Sequence, residues 1–538
     1  MSTYYRHDKI FQGRDETSWL TAFAVEAGVI TWVGRAEDIP ADADVRDLGG
    51  AVVLPGLIDA HTHPTYIALT VDAVACTVPE VHSIDEMVAA LQAHPNHGKD
   101  RNTWIEGWGY DESKLAEGRT PTRHDLDQVS TTQPVFVLRS CCHSAICNTR
   151  ALEIAGITAE TPDPPNARFG REPDGTPNGV LTEHAANLAV SKAKGSAGFD
   201  AEAAALARTT SHLAARGIVA VTDMFCRPGE YTQLDQYRAA AEKGFRQHTR
   251  IYYHFDKLLE DGLTDFAESD LTGRVAIGGI KLFMDGSMSD RTAWMCDPYP
   301  DSTETGMRTV SQETMAAALD FARRNNVQIA FHAMGDRAIS EVVDFYADEE
   351  PWLEDYPSVR IEHGSVTSPE LHDRMRNARM HFGLASNVDF FFAEYDSYSV
   401  NLTPDQFRRT YMVRDLYASI EALALTSDAP ATTWSDPDNP FMSIQAAVTR
   451  KAYNGADIVP EQAVSVPQAI LLYTSRAAKL ADFGNTGQIA PGFDANFITL
   501  SDDIFTIDPT TIIDTRVTGT WIRGDRVHTL ENTAADKE

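Results

Sequence analysis

Residues 54–64 read Leu-Pro-Gly-Leu-Ile-Asp-Ala-His-Thr-His-Pro, an apolar run that ends in two histidines one residue apart. An apolar run of this length beside turn residues is typical of a buried β-strand. Side chains two residues apart on a strand point to the same side, so the imidazoles of His61 and His63 can meet one cation at about 2.0–2.1 Å. The stretch therefore predicts a metal site where a strand ends.

Seven further apolar runs of strand length follow, and helical patterns such as residues 314–321 separate most of them. This alternation is typical of βαβ units with a parallel sheet. Eight strands are the number that a (β/α)8 barrel needs, so we predict an α/β fold built on a TIM-type barrel. The strand candidates are residues 57–60, 218–221, 250–253, 279–282, 328–331, 359–362, 381–384 and 424–427.

Both ends of the chain carry short strand candidates around turn signals, and together they predict one small β-sandwich domain built from both termini. Roughly 140 residues separate the first two barrel strands, far more than a crossover needs, so we predict an inserted α+β subdomain that covers the catalytic face. The predicted boundaries are residues 1–54 with 485–530 for the sandwich, 55–65 with 206–484 for the barrel, 66–205 for the insert and 531–538 for a flexible tail.

The composition excludes several classes of protein. The chain has 538 residues, 43% of them hydrophobic, and a formal net charge of −32. Such acidity argues against nucleic acid as a partner, because phosphate binding needs clustered lysine and arginine. No run of eighteen apolar residues and no apolar N-terminal segment occurs, so neither a membrane span nor a secretory signal is expected. The six cysteines form no Cys-x-x-Cys pair, which favours a reduced, cytoplasmic protein.

Three more residues with metal-binding side chains directly follow predicted barrel strands. His332 and His363 end neighbouring strands, which favours metal ligation over the role of an isolated polar histidine. Asp428 follows the eighth strand, where its carboxylate can touch a metal and accept a hydrogen bond from water. The alternative for Asp428 is a turn or helix cap before Pro430.

Lys281 lies inside the apolar strand candidate 279–282, and a buried lysine is costly unless it is paired or modified. One interpretation pairs its ammonium group with Asp285. The other is carboxylation by CO2, which converts the ammonium group into an oxygen ligand able to bridge two metal ions. The sequence leaves both interpretations open.

Six motifs spread over nearly the whole chain carry a resemblance to a known family. They are residues 55–63, 281–293, 332–338, 362–363, 427–428 and 487–496. Together they resemble the amidohydrolase superfamily, and more closely its amidohydrolase-3 branch, which includes N-substituted formamide deformylases. The resemblance implies a (β/α)8 barrel, a β-sandwich from both termini and an insertion after the first barrel strand.

The resemblance also implies a complete set of ligands, a cofactor and an oligomeric state. The implied metal ligands are His61, His63, Lys281, His332, His363 and Asp428. Zinc is the expected metal, because imidazole ligands and hydrolysis suit it, and either one or two ions fit this set. A homodimer is implied at the level of the family.

Residues 139–149 of the predicted insert correspond to a run that, in the same branch, often contains an Asp or Gly before a His and then an Asn-Ser pair. His143 and Asn148 match this pattern, whereas Cys142 and Thr149 depart from it, which puts the substrate rather than the reaction in doubt. His143 is a candidate substrate-binding residue, with a packing histidine as the alternative. By the same resemblance, Trp108 and Arg291 are further pocket candidates.

The expected reaction is hydrolysis of a non-peptide carbon–nitrogen bond in a small molecule, an N-substituted formamide or a similar amide. Metal-activated water attacks a carbonyl carbon, and Asp428 takes the proton and then passes it to the leaving nitrogen. The alternatives on the same scaffold are ester or carbamate hydrolysis, deamination and isomerisation. A non-catalytic metal-binding protein would be indicated by a lost ligand or a lost Asp428, and every one of these positions is filled.

Overall fold

A computed structural model describes residues 2–140, 144–164, 167–195, 198–226 and 232–530. The candidate His143 and the expected tail 531–538 lie outside the described residues. The chain divides into two compact units, the first formed by residues 1–64, 206–427 and 438–538 and the second by residues 65–205 and 428–437. Among the described residues, no helix combines the length and the apolar character that a membrane span requires.

The secondary structure alternates strands and helices through the middle of the chain. The strands are β1 (Thr3–Phe11), β2 (Trp19–Glu26), β3 (Val29–Gly34), β4 (Asp44–Asp47), β5 (Val52–Pro55), β6 (Leu57–Thr62), β7 (Val74–Ala75), β8 (Ile105–Tyr110), β9 (Val135–Arg139), β10 (Ala145–Cys147), β11 (Arg168–Arg171), β12 (Pro177–Thr182), β13 (Ile218–Cys226), β14 (His248–His254), β15 (Val275–Phe283), β16 (Gln328–Ala333), β17 (Val359–His363), β18 (Phe382–Ser386), β19 (Leu423–Leu425), β20 (Phe497–Leu500), β21 (Val517–Ile522) and β22 (Asp525–Thr529).

The helices of the described residues are α1 (Pro64–Thr70), α2 (Ile84–Gln92), α3 (Arg123–Leu126), α4 (Thr149–Ala155), α5 (His184–Ala193), α6 (Phe199–Ala215), α7 (Gln233–Glu242), α8 (Phe255–Glu260), α9 (Gln312–Asn325), α10 (Asp336–Tyr346), α11 (Pro369–Asn377), α12 (Val388–Ala393), α13 (Tyr395–Asn401), α14 (Pro404–Arg408), α15 (Val413–Ser419), α16 (Pro440–Thr449), α17 (Val466–Leu472) and α18 (Ser475–Leu480). Short 3₁₀ helices cover Ala36–Asp38, Glu268–Asp270, Pro460–Gln462 and Pro509–Asp514.

Eight parallel strands of the first unit form the barrel sheet, in the order β6, β13, β14, β15, β16, β17, β18 and β19. Each predicted barrel strand corresponds to one of them, so the predicted (β/α)8 barrel is confirmed. Between the first and last strands, Asp59 accepts hydrogen bonds from the backbone N–H and the hydroxyl of Ser427, which joins the two ends of the sheet. The carboxyl ends of all eight strands lie at one rim, where active sites of such barrels are built.

The second sheet of the first unit combines both chain ends, in the order β22-β21-β20-β5-β1-β2-β3, with β4 paired to β1. Aromatic side chains fill its core: the ring of Phe497 stacks on Trp521 at 4.7 Å and meets Phe23 edge-on at 5.0 Å. β5 leads through Gly56 into β6, so this sheet fixes the entry of the chain into the barrel.

The second unit contains its own six-stranded sheet, in the order β11-β12-β10-β9-β8-β7. Asn148, one of the residues that match the family pattern, begins α4 by accepting a hydrogen bond from Ala151 N–H at 2.9 Å. Its side chain also accepts from Val135 N–H at 3.0 Å and donates to the carbonyl of Ser130 at 2.7 Å. These contacts give Asn148 a structural role within this unit.

Candidate metal centre

Three of the predicted ligands come together at the carboxyl ends of barrel strands. One ligand atom each from His61, His363 and Asp428 lies within 4.8 Å of the others, and all three side chains are buried. His61 belongs to β6 and His363 ends β17, while Asp428 lies three residues after the end of β19. Two imidazoles and a carboxylate at this spacing can hold one divalent cation.

The two histidines of this cluster each have one ring nitrogen bound to a fixed acceptor. Nδ1 of His61 lies 2.6 Å from Oε2 of Glu362, and Nδ1 of His363 lies 3.0 Å from the side-chain oxygen of Asn387. The side-chain nitrogen of Asn387 donates to the carbonyl of Thr426 at 3.3 Å, which leaves its oxygen for His363. An acceptor at Nδ1 selects the tautomer whose lone pair is on Nε2, the form that binds a metal.

His63 and His332 surround this pair. The ring of His63 lies 5.7 Å from that of His61, and its Nδ1 is 3.8 Å from a carboxylate oxygen of Asp223. The ring of His332 lies 4.5 Å from that of His363, and its Nε2 donates to the carbonyl of Gly286 at 3.0 Å. Four histidines are thus gathered at the rim, and the contact with Gly286 assigns the lone pair of His332 to Nδ1.

The backbone is strained at two members of the cluster. His363 has a φ angle of 71° and Asp428 has one of 52°, both in the left-handed region that side chains rarely adopt. Such conformations cost about 1–3 kcal/mol each and concentrate at functional sites. The chain thus bends sharply at the two residues whose side chains meet His61.

Lys281 lies on β15 with only 1% of its surface exposed. Its Nζ is 5.2 Å from the ring centroid of Phe283, two residues further along the strand. Its charge also helps to lower the pKa of Glu362, after the larger contributions of Arg360 and His61. The side chain of Lys281 therefore lies in the barrel interior, near Glu362.

Glu362 contacts the candidate ligand His61 but is not among the residues predicted from the sequence. Burial alone would raise its pKa, but the charge of Arg360 and the hydrogen bond from His61 outweigh burial and hold the pKa of this carboxyl well below its ordinary value. Arg360 and Glu362 alternate with Val359 and Ile361 along β17. Charged residues at every second position of an otherwise apolar strand were the available signal, because that spacing turns both side chains to one face.

Two other buried carboxyl groups hold the backbone near the histidines. Burial raises the pKa of Asp59 to about 7, against the hydrogen bonds from Ser427 and from the N–H of His61. Burial likewise raises the pKa of Asp285 to about 7, although the N–H groups of Gly335, Met334 and Trp294 oppose the shift. Asp285 thereby fixes the turn that follows His332.

Aromatic rings line the rim beside the histidines. The ring of Phe225 lies 6.5 Å from His63, that of Phe283 lies 5.2 Å from His332, and that of Phe390 stacks on His363 at 5.8 Å. His254, at the end of β14, stacks on Phe283 at 5.5 Å and meets Phe225 edge-on at 5.5 Å. The sequence analysis missed His254, whose position at a strand end equals that of the predicted ligands.

The other two candidate substrate-binding residues, Arg291 and Trp108, differ in their surroundings. Arg291 is exposed, and its guanidinium donates to the side chain of Asn401 at 2.8 Å and to the carbonyl of Pro300. Trp108 belongs to β8 of the second unit and is 8% exposed. Neither is among the residues that the structure gathers around His61, and both stay predictions.

Comparison with known proteins shows the family of this chain. The model of the amidohydrolase family designated Amidohydro_3 matches residues 44–528. The chain belongs to the amidohydrolase family. This amidohydrolase is 28% identical to YtcJ of Bacillus subtilis (strain 168) over 535 residues, which cover 96% of this chain and 98% of the relative. It is 27% identical to the N-substituted formamide deformylase of Arthrobacter pascens, with 90% of each chain covered.

The fold of the amidohydrolase is also found among solved structures. An uncharacterized metal-dependent hydrolase from Pyrococcus horikoshii OT3 superposes with a TM-score of 0.74 at 23% identity, over 95% of this chain and 99% of that one. This likeness concerns the fold. Membership of the amidohydrolase family identifies a metal-dependent hydrolase that acts on small molecules, and the cluster of His61, His363 and Asp428 can hold a metal ion.

Proposed function

We propose that this amidohydrolase uses zinc to hydrolyse a non-peptide carbon–nitrogen bond in a small amide. The observation that carries the proposal is the buried cluster of His61, His363 and Asp428, whose ligand atoms lie within 4.8 Å of one another. We assign His63, His332 and Lys281 as the remaining ligands. The donor set fits a divalent metal, because three of the four histidines already bind a hydrogen-bond acceptor through one ring nitrogen.

A divalent cation at this site would lower the pKa of a water molecule to about 7 and polarise the substrate carbonyl. Asp428 would accept a proton from the attacking water molecule as the water oxygen adds to the carbonyl carbon. The same carboxyl group then donates the proton to the nitrogen as the carbon–nitrogen bond breaks. One residue therefore serves as general base and then as general acid, and the products are a carboxylate and an amine.

An N-substituted formamide is the substrate that we favour. One relative of this chain carries that activity in its name, and its sequence aligns over 90% of both chains. The aromatic rings of Phe225, Phe283 and Phe390 beside the histidines support a substrate with an apolar substituent. Hydrolysis of such a substrate releases formate and a primary or secondary amine.

Replacement of the proposed base tests the mechanism. We expect Asp428→Asn to lower kcat by about 10²- to 10⁴-fold, because the amide cannot accept or return the proton. Metal content, measured by mass spectrometry, should stay at about one or two ions per chain, since the amide oxygen can still act as a ligand.

The matched control is Asp438→Asn. Asp438 is another buried carboxylate, but it binds His212 at 2.6 Å and Arg216 at 2.7 Å. This variant should keep its turnover. Normal hydrolysis by Asp428→Asn would refute the assignment of Asp428 as the base.

A screen of formamides, acyl amino acids, hydantoins and aryl carbamates, with metal-depleted enzyme as the control, tests the substrate class. We expect metal-dependent release of formate from N-substituted formamides. Turnover confined to the carbamates, or deamination without formate release, would replace the proposed reaction with one of the alternatives on the same scaffold.

A further inference from the structure

The interior of the barrel contains a chain of polar side chains that ends at a proposed metal ligand. Barrels of this class are filled mainly by layers of branched aliphatic residues. Here the buried interior includes an amide, a phenol, a guanidinium, a carboxylate and an imidazole, each exposed by 1% or less. In order of contact they are Gln328, Tyr252, Arg360, Glu362 and His61.

Direct hydrogen bonds connect these residues. Nη2 of Arg360 donates to Oε2 of Glu362 at 3.0 Å while its Nε donates to Oε1, so the guanidinium grips the carboxylate with two parallel bonds. Nη1 of Arg360 donates to the hydroxyl of Tyr252 at 3.2 Å, and that hydroxyl donates to the side-chain oxygen of Gln328. The amide nitrogen of Gln328 donates to the backbone carbonyls of Pro357 at 2.6 Å and Leu480 at 3.0 Å.

This series of hydrogen-bonded side chains therefore runs from the backbone beside the first residue of β16 towards the rim at the end of β6. Arg360 also donates to the carbonyl of Ala60 at 2.6 Å, and the hydroxyl of Thr222 donates to the same carbonyl. Both the peptide that precedes His61 and the ring of His61 are thus tied to Arg360, the ring through Glu362.

The charges in this chain decide which nitrogen of His61 carries the proton. An ionised carboxylate only accepts hydrogen bonds and a guanidinium only donates them. Both oxygens of Glu362 accept hydrogen bonds from the guanidinium of Arg360, and Oε2 lies 2.6 Å from Nδ1 of His61, which therefore carries the proton. Nε2 of His61 then carries the lone pair that a metal needs.

We propose that Arg360 and Glu362, anchored through Tyr252 and Gln328, are positioning residues that lock the tautomer and the orientation of His61 and thereby set the metal affinity of the site. The inference rests on the proposed metal centre and goes beyond it. Partners of this kind typically change metal affinity by about 10- to 100-fold. His61 and Glu362 lie 301 residues apart in the sequence.

Glu362→Gln is the decisive variant. Arg360 can only donate, so it will hold the oxygen of the new amide and turn the amide NH2 group towards His61. Nδ1 of His61 must then accept, which moves its proton to Nε2, the nitrogen that should bind the metal. We expect the dissociation constant for Zn²⁺, measured by chelator competition, to rise by about 10- to 100-fold.

Two readouts besides activity separate positioning from general stability. In the metal-free protein, ¹⁵N NMR of labelled histidine should show the His61 tautomer switching between wild type and Glu362→Gln. With Co²⁺ bound, the visible absorption spectrum should change because the ligand geometry changes. Asp438→Asn is the matched control, since it also disrupts a buried carboxylate bonded to an arginine and a histidine, and it should move neither readout.

A variant that keeps no unpaired buried charge covers the case in which Glu362→Gln fails to fold. The double variant Arg360→Met with Glu362→Met removes both charges and the acceptor for Nδ1 of His61, so it should also bind Zn²⁺ more weakly. If wild type binds no metal, the proposed function fails. If wild type binds metal and the variants match its dissociation constant, tautomer and Co²⁺ spectrum, the positioning role of Glu362 is refuted while the proposed function stands.

Discussion

Lys281 is the proposed ligand whose chemical form decides how many metal ions the site can hold. The side chain is buried on β15, and a positively charged ammonium group there would repel a divalent cation. Carboxylation by CO2 would reverse its charge and supply two oxygens that can bridge two ions. We therefore propose that Lys281 is carboxylated in the metal-loaded enzyme.

The carboxylation of Lys281 can be measured with ¹³C-labelled bicarbonate. We expect one carbamate signal in the ¹³C NMR spectrum of the metal-loaded protein, and we expect it to be absent from Lys281→Met. The metal content of Lys281→Met should fall by about one ion per chain, since its thioether is a poor ligand for Zn²⁺. The control is Lys479→Met, which removes an exposed lysine paired with Glu421. A fully metal-loaded wild type without the signal would contradict carboxylation.

At the scale of single residues, the sequence predicts the site residues that carry a local signal. It misses those whose role depends on partners far away in the sequence. His61, His363 and Asp428 are recognisable because each directly follows or ends an apolar strand. Glu362 lies one residue before His363 and looked like part of a motif, yet its role depends on Arg360 and on His61. That role can be derived only when the place of β17 in the barrel sheet is known.

The turn between β16 and α10 holds His332 in place through close backbone packing. Gly335 is the N-cap residue of α10, and a Cβ atom at this position would lie 2.0 Å from the carbonyl oxygen of Trp294. The N–H of Gly335 donates to Asp285 at 2.8 Å, as does that of Trp294. The loop after β15 and the turn after His332 therefore share one tightly packed junction.

Gly335→Ala tests how far this junction supports the site. The extra methyl group meets backbone atoms that cannot rotate away, so we expect a loss of about 1–3 kcal/mol in stability, measured as a lower Tm. Metal affinity should also fall, because the shift would move His332. Gly49→Ala is the control, since a Cβ atom there meets nothing within 4 Å. Equal Tm values for the two variants would contradict the packing argument.

Strand positions were predictable at the scale of elements, whereas the contacts of loops were not. Apolar runs bounded by polar turns indicated all eight barrel strands, which the structure confirms. The loop after β15 has no periodic pattern, and the glycines that permit its close approach to α10 are informative only when the neighbouring backbone is known. For this reason the sequence offers Asp285 only as one alternative partner of Lys281, while in the structure Asp285 binds three backbone N–H groups.

On the scale of the whole molecule, the barrel was predictable because each strand has its own signal, and the terminal sheet was predictable only as a β-rich domain. The order of that sheet depends on β5 pairing with β20, which comes from the other end of the chain. The domain boundaries drawn from sequence stay a prediction. Residues 428–437, assigned to the barrel from sequence, group with residues 65–205 in the structure.

The terminal sheet and the barrel meet in the first unit at a histidine that is largely, but not fully, buried. Nε2 of His248, on β14, lies 3.5 Å from Asp494, which precedes β20. Burial lowers the pKa of His248 to about 4, and the charges of Arg250, Arg274 and Arg523 act in the same direction. Folding therefore keeps this histidine neutral at a pH where the unfolded chain is already protonated.

This shift makes the stability of the enzyme depend on pH. Between pH 6.5 and about 4 the unfolded chain binds a proton at His248 that the folded chain does not, so stability falls as the pH falls through this window. Across the whole window, the free energy of unfolding falls by about 3 kcal/mol. Between pH 7 and pH 4.5, we expect the Tm of His248→Gln to fall less than the Tm of wild type. The control is His381→Gln, which replaces an exposed histidine. Parallel Tm curves for His248→Gln and wild type would contradict the assignment, because the proton uptake would then belong to other groups.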